Sequence, residues 1–421
     1  MKLSQKANQR VKTMLTCVRI IFLSVAIPLL SMLSLSSRAE TAIPTETMLN
    51  NFFGVNLHLD NCCQGGYEDL NRVAAEIKYI GARELRDWTG THKGLLKKWQ
   101  KIHRDTGLQF YASIPNGSPA YQRATLSVMR EWLRNSPGMI SAIEGSNEPD
   151  MPYSVENGAS LLDSAELQAE VYAVGNEAGV KVIQMSVGAN WKAPLWEGNY
   201  KNFGKPLADL GNAHVYMTPA QPPSEALSRI GKLASWSVDG KKVSVTEFGV
   251  YKTSIQDDND VSAFMHIAPF ASYILGHASL SVYALHDDMS GVVGFYNKRG
   301  EKRLFADYWH VTTRLLADPS GKALPPKDIG LSISSSNGVN QGVYGVKYVP
   351  MYKSDGSIWI AIYNEQKLKG LDEDALIEFN KNYDSIRIID GRNGKVVNNY
   401  SNEKRINMTL PANHLYFIVS M

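Results

Sequence analysis

Between about residue 50 and residue 318, short runs rich in β-branched and aromatic residues alternate with stretches of helical periodicity. Phe52–His58, Arg83–Asp87, Gln109–Ile114, Ile140–Ser146, Lys181–Val187, Asn212–Met217, Lys242–Phe248 and Ser279–Leu285 read as strands. Tyr67–Ile80, Lys93–Thr106, Ala120–Asn135, Ser164–Ala178, Pro223–Trp236, Asp260–Gly276 and Leu304–Leu316 read as helices. In the first helix Leu70, Val73, Ala74, Ile77 and Ile80 recur at helical spacing with charged residues between them. Such a stripe packs on one side of a sheet. The strands follow one another at about 25 to 40 residues, the size of a βα unit. Alternation of this kind predicts an α/β fold with parallel pairing, and eight units favour closure into a (β/α)8 barrel over an open sheet.

The pattern changes after about residue 320. The stretch Asp318-Pro-Ser-Gly-Lys-Ala-Leu-Pro-Pro-Lys-Asp328 is rich in turn formers and reads as a linker. Tyr344–Tyr348, Ile358–Tyr363, Asp374–Phe379, Ser385–Asp390 and His414–Val419 then read as antiparallel strands, with turn signals at Ser354-Asp-Gly356 and Gly391-Arg-Asn-Gly394. The expected organisation is a barrel over 40–320 and a small antiparallel β-sandwich over 325–421, with residues 40–51 a candidate addition to the sandwich.

Residues 1–39 stand apart. They carry Lys2, Lys6, Arg10, Lys12 and Arg19 and no acid, followed by an apolar run from Ile20 to Leu35 and a small-residue end at Ser36-Ser-Arg-Ala39. That order is an export signal. The apolar run is short for a membrane span, and Pro28 interrupts it. The expectation is a periplasmic or extracellular protein with no stable membrane span, or an anchored one if the segment is retained. Without the six basic residues of that segment, 38 Lys and Arg stand against 41 Asp and Glu, a net charge of −3. This balance gives no reason to expect nucleic acid as a partner. The remaining cysteines, Cys62 and Cys63, are adjacent, so no zinc-type spacing exists and no metal is expected. A bridge between neighbours and a pair of free thiols both remain open.

In a (β/α)8 barrel the active site lies where the strands end, so polar residues at strand exits are the informative ones. The fourth strand ends in Ile143-Glu-Gly-Ser-Asn-Glu-Pro-Asp150, and alternation puts Glu144, Ser146 and Glu148 on one face. The seventh ends in Val243-Ser-Val-Thr-Glu-Phe-Gly249, with Glu247 terminating an apolar strand. Two carboxyl groups facing each other across the barrel mouth are what glycoside hydrolysis requires: one protonates the leaving oxygen, the other attacks or activates water.

Asn147-Glu148-Pro149 on the fourth strand together with Glu247 on the seventh resembles clan A of the glycoside hydrolases. Glu144 fits the form Glu-x-x-Asn-Glu-Pro, His214-Val-Tyr216 matches a sixth-strand His-x-Tyr, and Arg86 resembles the second-strand arginine of that clan. Families 39 and 5 are the nearest in type, and a β-sandwich suits several families of the clan. The resemblance implies Glu148 as acid/base and Glu247 as nucleophile of a retaining enzyme without metal or organic cofactor. It implies Arg86 and Tyr216 as hydrogen-bond partners of Glu247, with Arg83 the alternative arginine if the register differs. Asn147 would bind the sugar 2-hydroxyl, and His214 would support the site. Many clan members carry an eighth-strand tryptophan platform. Here the run is Ser281-Val-Tyr-Ala-Leu-His-Asp-Asp288, so Tyr283 and His286 are the candidates for that place. Trp88, Asn116, Asn190, Trp191 and Trp196 follow other strands and are candidate sugar contacts.

The roles predict opposite electrostatics. Glu247 should be held ionised by Arg86 and Tyr216, and Glu148 should be kept protonated by burial and by the charge of Glu247. The expected activity is hydrolysis of β-glycosidic bonds in a polysaccharide or oligosaccharide by double displacement. The alternatives are a non-catalytic carbohydrate-binding barrel and a transglycosylase that remodels an exported polysaccharide.

Overall fold

The computed structural model describes residues 40–60, 66–188, 204–217, 221–251, 258–287, 291–320, 324–367 and 370–421. Residues 1–39, expected to be an export signal, and Cys62, Cys63, Asn190, Trp191 and Trp196 lie outside these. Among the described residues no helix is long and apolar enough to cross a membrane.

Eight parallel strands form one sheet. In chain order they are Gly54–Asn56, Glu84–Trp88, Phe110–Ile114, Ile140–Ser146, Lys181–Ile183, Gly211–Met217, Val243–Val250 and Ser279–Val282, and each lies beside its neighbours in sequence. The first also pairs with the eighth. The fifth and sixth meet through a parallel bridge between Ile183 and Leu210, where Gln184 N donates to Leu210 O at 3.0 Å. That bridge closes the sheet into a (β/α)8 barrel. Helices surround it because each carries a buried stripe. Leu70–Ile80 buries Val73, Ala74, Ile77 and Ile80. It starts at Asp69, whose side chain accepts from Asn71 N and Arg72 N, and ends at Gly81 with φ 70°. A Cβ at Gly81 would also lie 2.1 Å from Thr313 Oγ1, so both conformation and packing require glycine there.

Several boundaries differ from the hydropathy pattern, among them the fifth barrel strand, which stops at Ile183 and not at Val187. Phe52 closes a helix, Thr45–Phe52, which buries Thr45, Met48, Leu49 and Phe52. The eighth strand stops at Val282, three residues earlier than its apolar run suggests.

The second layer is a β-sandwich. Seven strands lie in the order Lys327–Asp328, Thr41–Pro44, Gly345–Tyr352, Ile358–Glu365, Leu415–Ser420, Ile386–Asp390 and Val396–Tyr400. Leu331–Ser335, Glu373–Tyr383 and Glu403–Leu410 form the facing sheet. Thr41–Pro44 pairs in parallel with Gly345–Tyr352, so the first described strand belongs to the sandwich and not to the barrel. One apolar cluster runs from barrel residues such as Phe53, Phe270 and Trp309 into Met351, Trp359, Phe417 and Val419 of the sandwich. Polar ties reinforce it. Lys353 Nζ donates to Leu315 O at 2.6 Å and Ala317 O at 2.9 Å, satisfying carbonyls at the end of helix Leu304–Leu316.

Candidate active site

The site begins where the fourth strand ends. Asn147 N donates to Ile114 O at 2.8 Å and Ser186 N donates to Ser146 O at 3.1 Å, so the strand is held on both sides to its last residue. Glu148 then turns into the left-handed region, with φ 42°, and its N–H donates to Ser186 Oγ at 3.0 Å. That conformation costs a non-glycine residue about 1–3 kcal/mol and is retained where surrounding contacts dictate it. From the seventh strand Glu247 arrives in an unbroken run of buried residues.

Arg86 links the parts. Its Nε and Nη2 donate to the two oxygens of Glu144, each at 2.7 Å. Nη1 donates to Glu247 Oε1 at 2.6 Å and Asn56 Oδ1 at 2.8 Å, and Nη2 also donates to Asn147 Oδ1 at 2.8 Å. Tyr216 Oη donates to Glu247 Oε2. Arg83 lies elsewhere, beside Glu46 at 3.8 Å.

His214 sits between the two carboxyl groups. Its Nδ1 is 2.7 Å from Glu148 Oε1 and 3.4 Å from Glu247 Oε2. Its Nε2 is 3.4 Å from Arg86 Nη2. The other oxygen of Glu148, Oε2, accepts from Tyr153 Oη at 2.5 Å.

Burial opposes the charge on each of these groups, and their partners decide the outcome. Arg86 is driven further toward its charged form by Glu144 and Glu247 despite burial. Against burial, Arg86 pulls the Glu144 carboxyl down to about 2. His214 is pushed up to about 9, because the charges and hydrogen bonds of Glu247, Glu144 and Glu148 outweigh burial. For the pair itself, burial raises both carboxyls. His214 and Tyr153 bring Glu148 below the ordinary carboxylate value, whereas Glu247 stays above it with the charge of Glu148 adding to burial. This order reverses the electrostatics expected from the sequence. The physical reason is the closer approach of His214 to Glu148, together with a second donor, Tyr153, that the sequence pattern does not reveal.

Glu148, His214 and Glu247 are the group among the described residues that offers three metal-ligand atoms within 4.8 Å of one another. A cation held there would meet the guanidinium of Arg86, 2.6 Å from Glu247 Oε1, so the set is better matched to a proton than to a metal.

Around the pair lies an arc of rings. Tyr216 is 5.2 Å from Tyr251 and 5.9 Å from Tyr283, Tyr283 is 5.3 Å from His58, and His58 is 5.3 Å from Trp88. Arg86, Asn147, His214 and Tyr216 therefore meet the carboxylates directly, and Tyr283 and Trp88 join through the rings. His286 does not. Its Nε2 lies 2.7 Å from Glu76 Oε2, and its ring packs at 4.7 Å from Tyr67. The reason is parity: alternation along the eighth strand carries Ser281 and Tyr283 to the inner face and leaves residue 286 on the opposite one. Asn56, Ser186 and Tyr153 were absent from the sequence-derived site. A polar residue among the apolar residues of the first strand is a signal that would have marked Asn56.

The closed barrel and the sandwich have the fold of the clan A glycoside hydrolases. A family 51 α-L-arabinofuranosidase from Bifidobacterium longum matches with TM-score 0.60 at 11% identity, over 91% of this chain and 98% of that one. A family 39 glycoside hydrolase from Bacteroides cellulosilyticus matches with TM-score 0.59 at 12% identity, over 89% and 82%. A family 39 β-xylosidase from Caulobacter crescentus matches with TM-score 0.54 at 12% identity, over 91% and 98%. No protein-family model matches the chain, and no curated protein matches it in sequence.

Proposed function

We propose that the protein is a retaining glycoside hydrolase that cleaves β-glycosidic bonds in an exported or extracellular glycan, with Glu148 as acid/base and Glu247 as nucleophile. The observation that carries the reading is the approach of the two carboxyl groups from opposite sides of the barrel mouth. Ligand oxygens of the two lie within 4.8 Å of each other, with Arg86 and Tyr216 on Glu247, Tyr153 on Glu148 and His214 between them. Retaining enzymes keep their carboxyl groups about 5–5.5 Å apart, because no water fits between nucleophile and sugar.

The steps follow from the contacts. Glu247 attacks the anomeric carbon as an anion, while Arg86 and Tyr216 orient its oxygens for the approach. The glycosidic C–O bond breaks, and its oxygen takes the proton of Glu148. Protonation of Glu148 removes the negative charge that raises Glu247, so the acid form of one carboxyl favours the ionised form of the other. Once Glu247 carries the sugar its charge is gone. Glu148, now ionised and held by His214, removes a proton from the water that hydrolyses the intermediate. Asn147 belongs to the same hydrogen-bonded unit through Arg86 and is the candidate partner of the sugar 2-hydroxyl. The basic and apolar segment over 1–39 supports export of the enzyme.

A panel of β-glycans and aryl β-glycosides tests the reading. The wild type should release reducing sugar or aryl alcohol from at least one member. Glu247→Ala should be slower by at least about a thousandfold on that member. Equal activity of the two proteins would rule out Glu247 as nucleophile.

A further inference from the structure

Both oxygens of Glu148 are occupied in the substrate-free protein, and the two partners differ in kind. His214, on Oε1, is 1% exposed and belongs to the sixth barrel strand. Tyr153, on Oε2, is 41% exposed and belongs to a five-residue helix, Pro152–Glu156, outside the barrel. Each carboxyl oxygen has two lone-pair directions, and a leaving group that approaches along the one already held by a donor must displace that donor. The rigid, enclosed partner cannot withdraw without disturbing a barrel strand, whereas the exposed one on a short helix can.

We propose that Tyr153 is a positioning residue that occupies the place of the glycosidic oxygen at Glu148 Oε2 and yields it when substrate binds. The inference rests on the glycosidase reading above and extends it to the leaving-group side of the cleft. Its consequence is chemical. A phenol donates a hydrogen bond, so while Tyr153 is in place it favours the carboxylate form of Glu148. A glycosidic oxygen can only accept. Once it replaces the phenol, Oε2 must carry a proton to make a hydrogen bond at all. Exchange of one partner for the other turns the carboxylate into the acid at the moment the acid is required. The proton comes from solvent to Oε2 and passes to the leaving oxygen as the C–O bond breaks. The exposed ring of Tyr153 is left beside the departing group, where an aromatic face suits a sugar.

The test is a comparison of pH profiles for wild type and Tyr153→Phe on an alkyl or sugar glycoside. The kcat/KM profile reports groups in the free enzyme, and the kcat profile reports the bound complex. In the free enzyme, burial raises Glu148 while His214 and Tyr153 lower it, so loss of the phenol raises it. The basic limb of kcat/KM should therefore move to higher pH in Tyr153→Phe, by about half a unit or more. The basic limb of kcat should stay where the wild type has it. A limb of kcat that moves with that of kcat/KM would overturn the handover, because Tyr153 would then still hold Glu148 in the complex. Limbs that both stay in place would show a merely structural residue and overturn it as well. A wild type inactive on every glycoside would instead sink the glycosidase reading and this inference with it.

Discussion

Arg86 divides its guanidinium among Glu144, Glu247, Asn56 and Asn147 and is almost wholly buried. Glu144 takes two of those bonds and supplies the charge that allows Arg86 to be buried at all. Glu144→Gln should therefore act on stability as well as on rate. It leaves a buried cation short of one counter-charge, a change that typically costs about 3–5 kcal/mol. Denaturant unfolding of wild type and Glu144→Gln measures this directly, and a difference below about 1 kcal/mol would contradict the assigned role. Glu247 and Arg86 are readable from sequence because each lies within a barrel strand, where alternation governs direction, and Glu148 because it stands in the Asn-Glu-Pro run just beyond the fourth strand. Tyr153 is not readable in that way. Its approach to Glu148 depends on the left-handed turn at Glu148 and on the short helix that follows, and neither leaves a periodic signature.

At the scale of elements, helix Pro223–Trp236 shows how the sandwich supports the barrel. Its N-terminal Ser224 donates both its N–H, at 2.7 Å, and its hydroxyl, at 2.6 Å, to Glu365 of the sandwich strand Ile358–Glu365. Burial pushes the Glu365 carboxyl up to about 7, against the lowering effects of Ser224 and Lys347. The ordinary value is 4.5, so between pH 4.5 and 7 the folded protein binds more protons than the unfolded chain. Stability should fall as pH rises through that window and become level above it. Glu365→Gln keeps an acceptor for the Ser224 N–H and removes the charge. It should flatten the dependence and raise the melting temperature at pH 8 relative to wild type. Thermal unfolding at pH 5 and pH 8 checks this, and an unchanged slope would count against Glu365 as its source. The same scale shows where hydropathy misleads. Val396–Tyr400 and most of Glu403–Leu410 are exposed or partly exposed, so their composition is that of a loop, and only pairing with neighbouring strands makes them β. Phe52 fails in the opposite direction. It is apolar enough for a strand but lies in a helix whose buried residues, Thr45, Met48, Leu49 and Phe52, recur every three or four positions.

Across the whole molecule, barrel and sandwich share one apolar cluster, and the strand Thr41–Pro44 joins the sandwich before the chain enters the barrel. The described residues therefore begin and end in the same layer, an arrangement that resists separation of the two. The barrel itself was legible from the eightfold alternation of strand and helix, because a parallel sheet buries both faces of each strand and a helix on its outer side buries one stripe. The joining of Thr41–Pro44 to Gly345–Tyr352 was not legible in detail, since a four-residue strand paired across about three hundred positions leaves no local pattern. What this architecture achieves for chemistry is rigidity: Glu247 comes from strand seven, and Glu148 lies two residues beyond strand four in a turn tied to Ser186, so the barrel fixes the positions from which both reach. The central claim is that Glu247 forms a covalent bond to the sugar. It is tested most directly by incubating the protein with activated 2-deoxy-2-fluoro-β-glycosides of several sugars, which slow hydrolysis of the intermediate, and then mapping the labelled peptide by mass. The account predicts one fluoroglycosyl group on Glu247, formed with the sugar that the enzyme recognises. Attachment to Glu148, Glu144 or any other carboxyl group would contradict it.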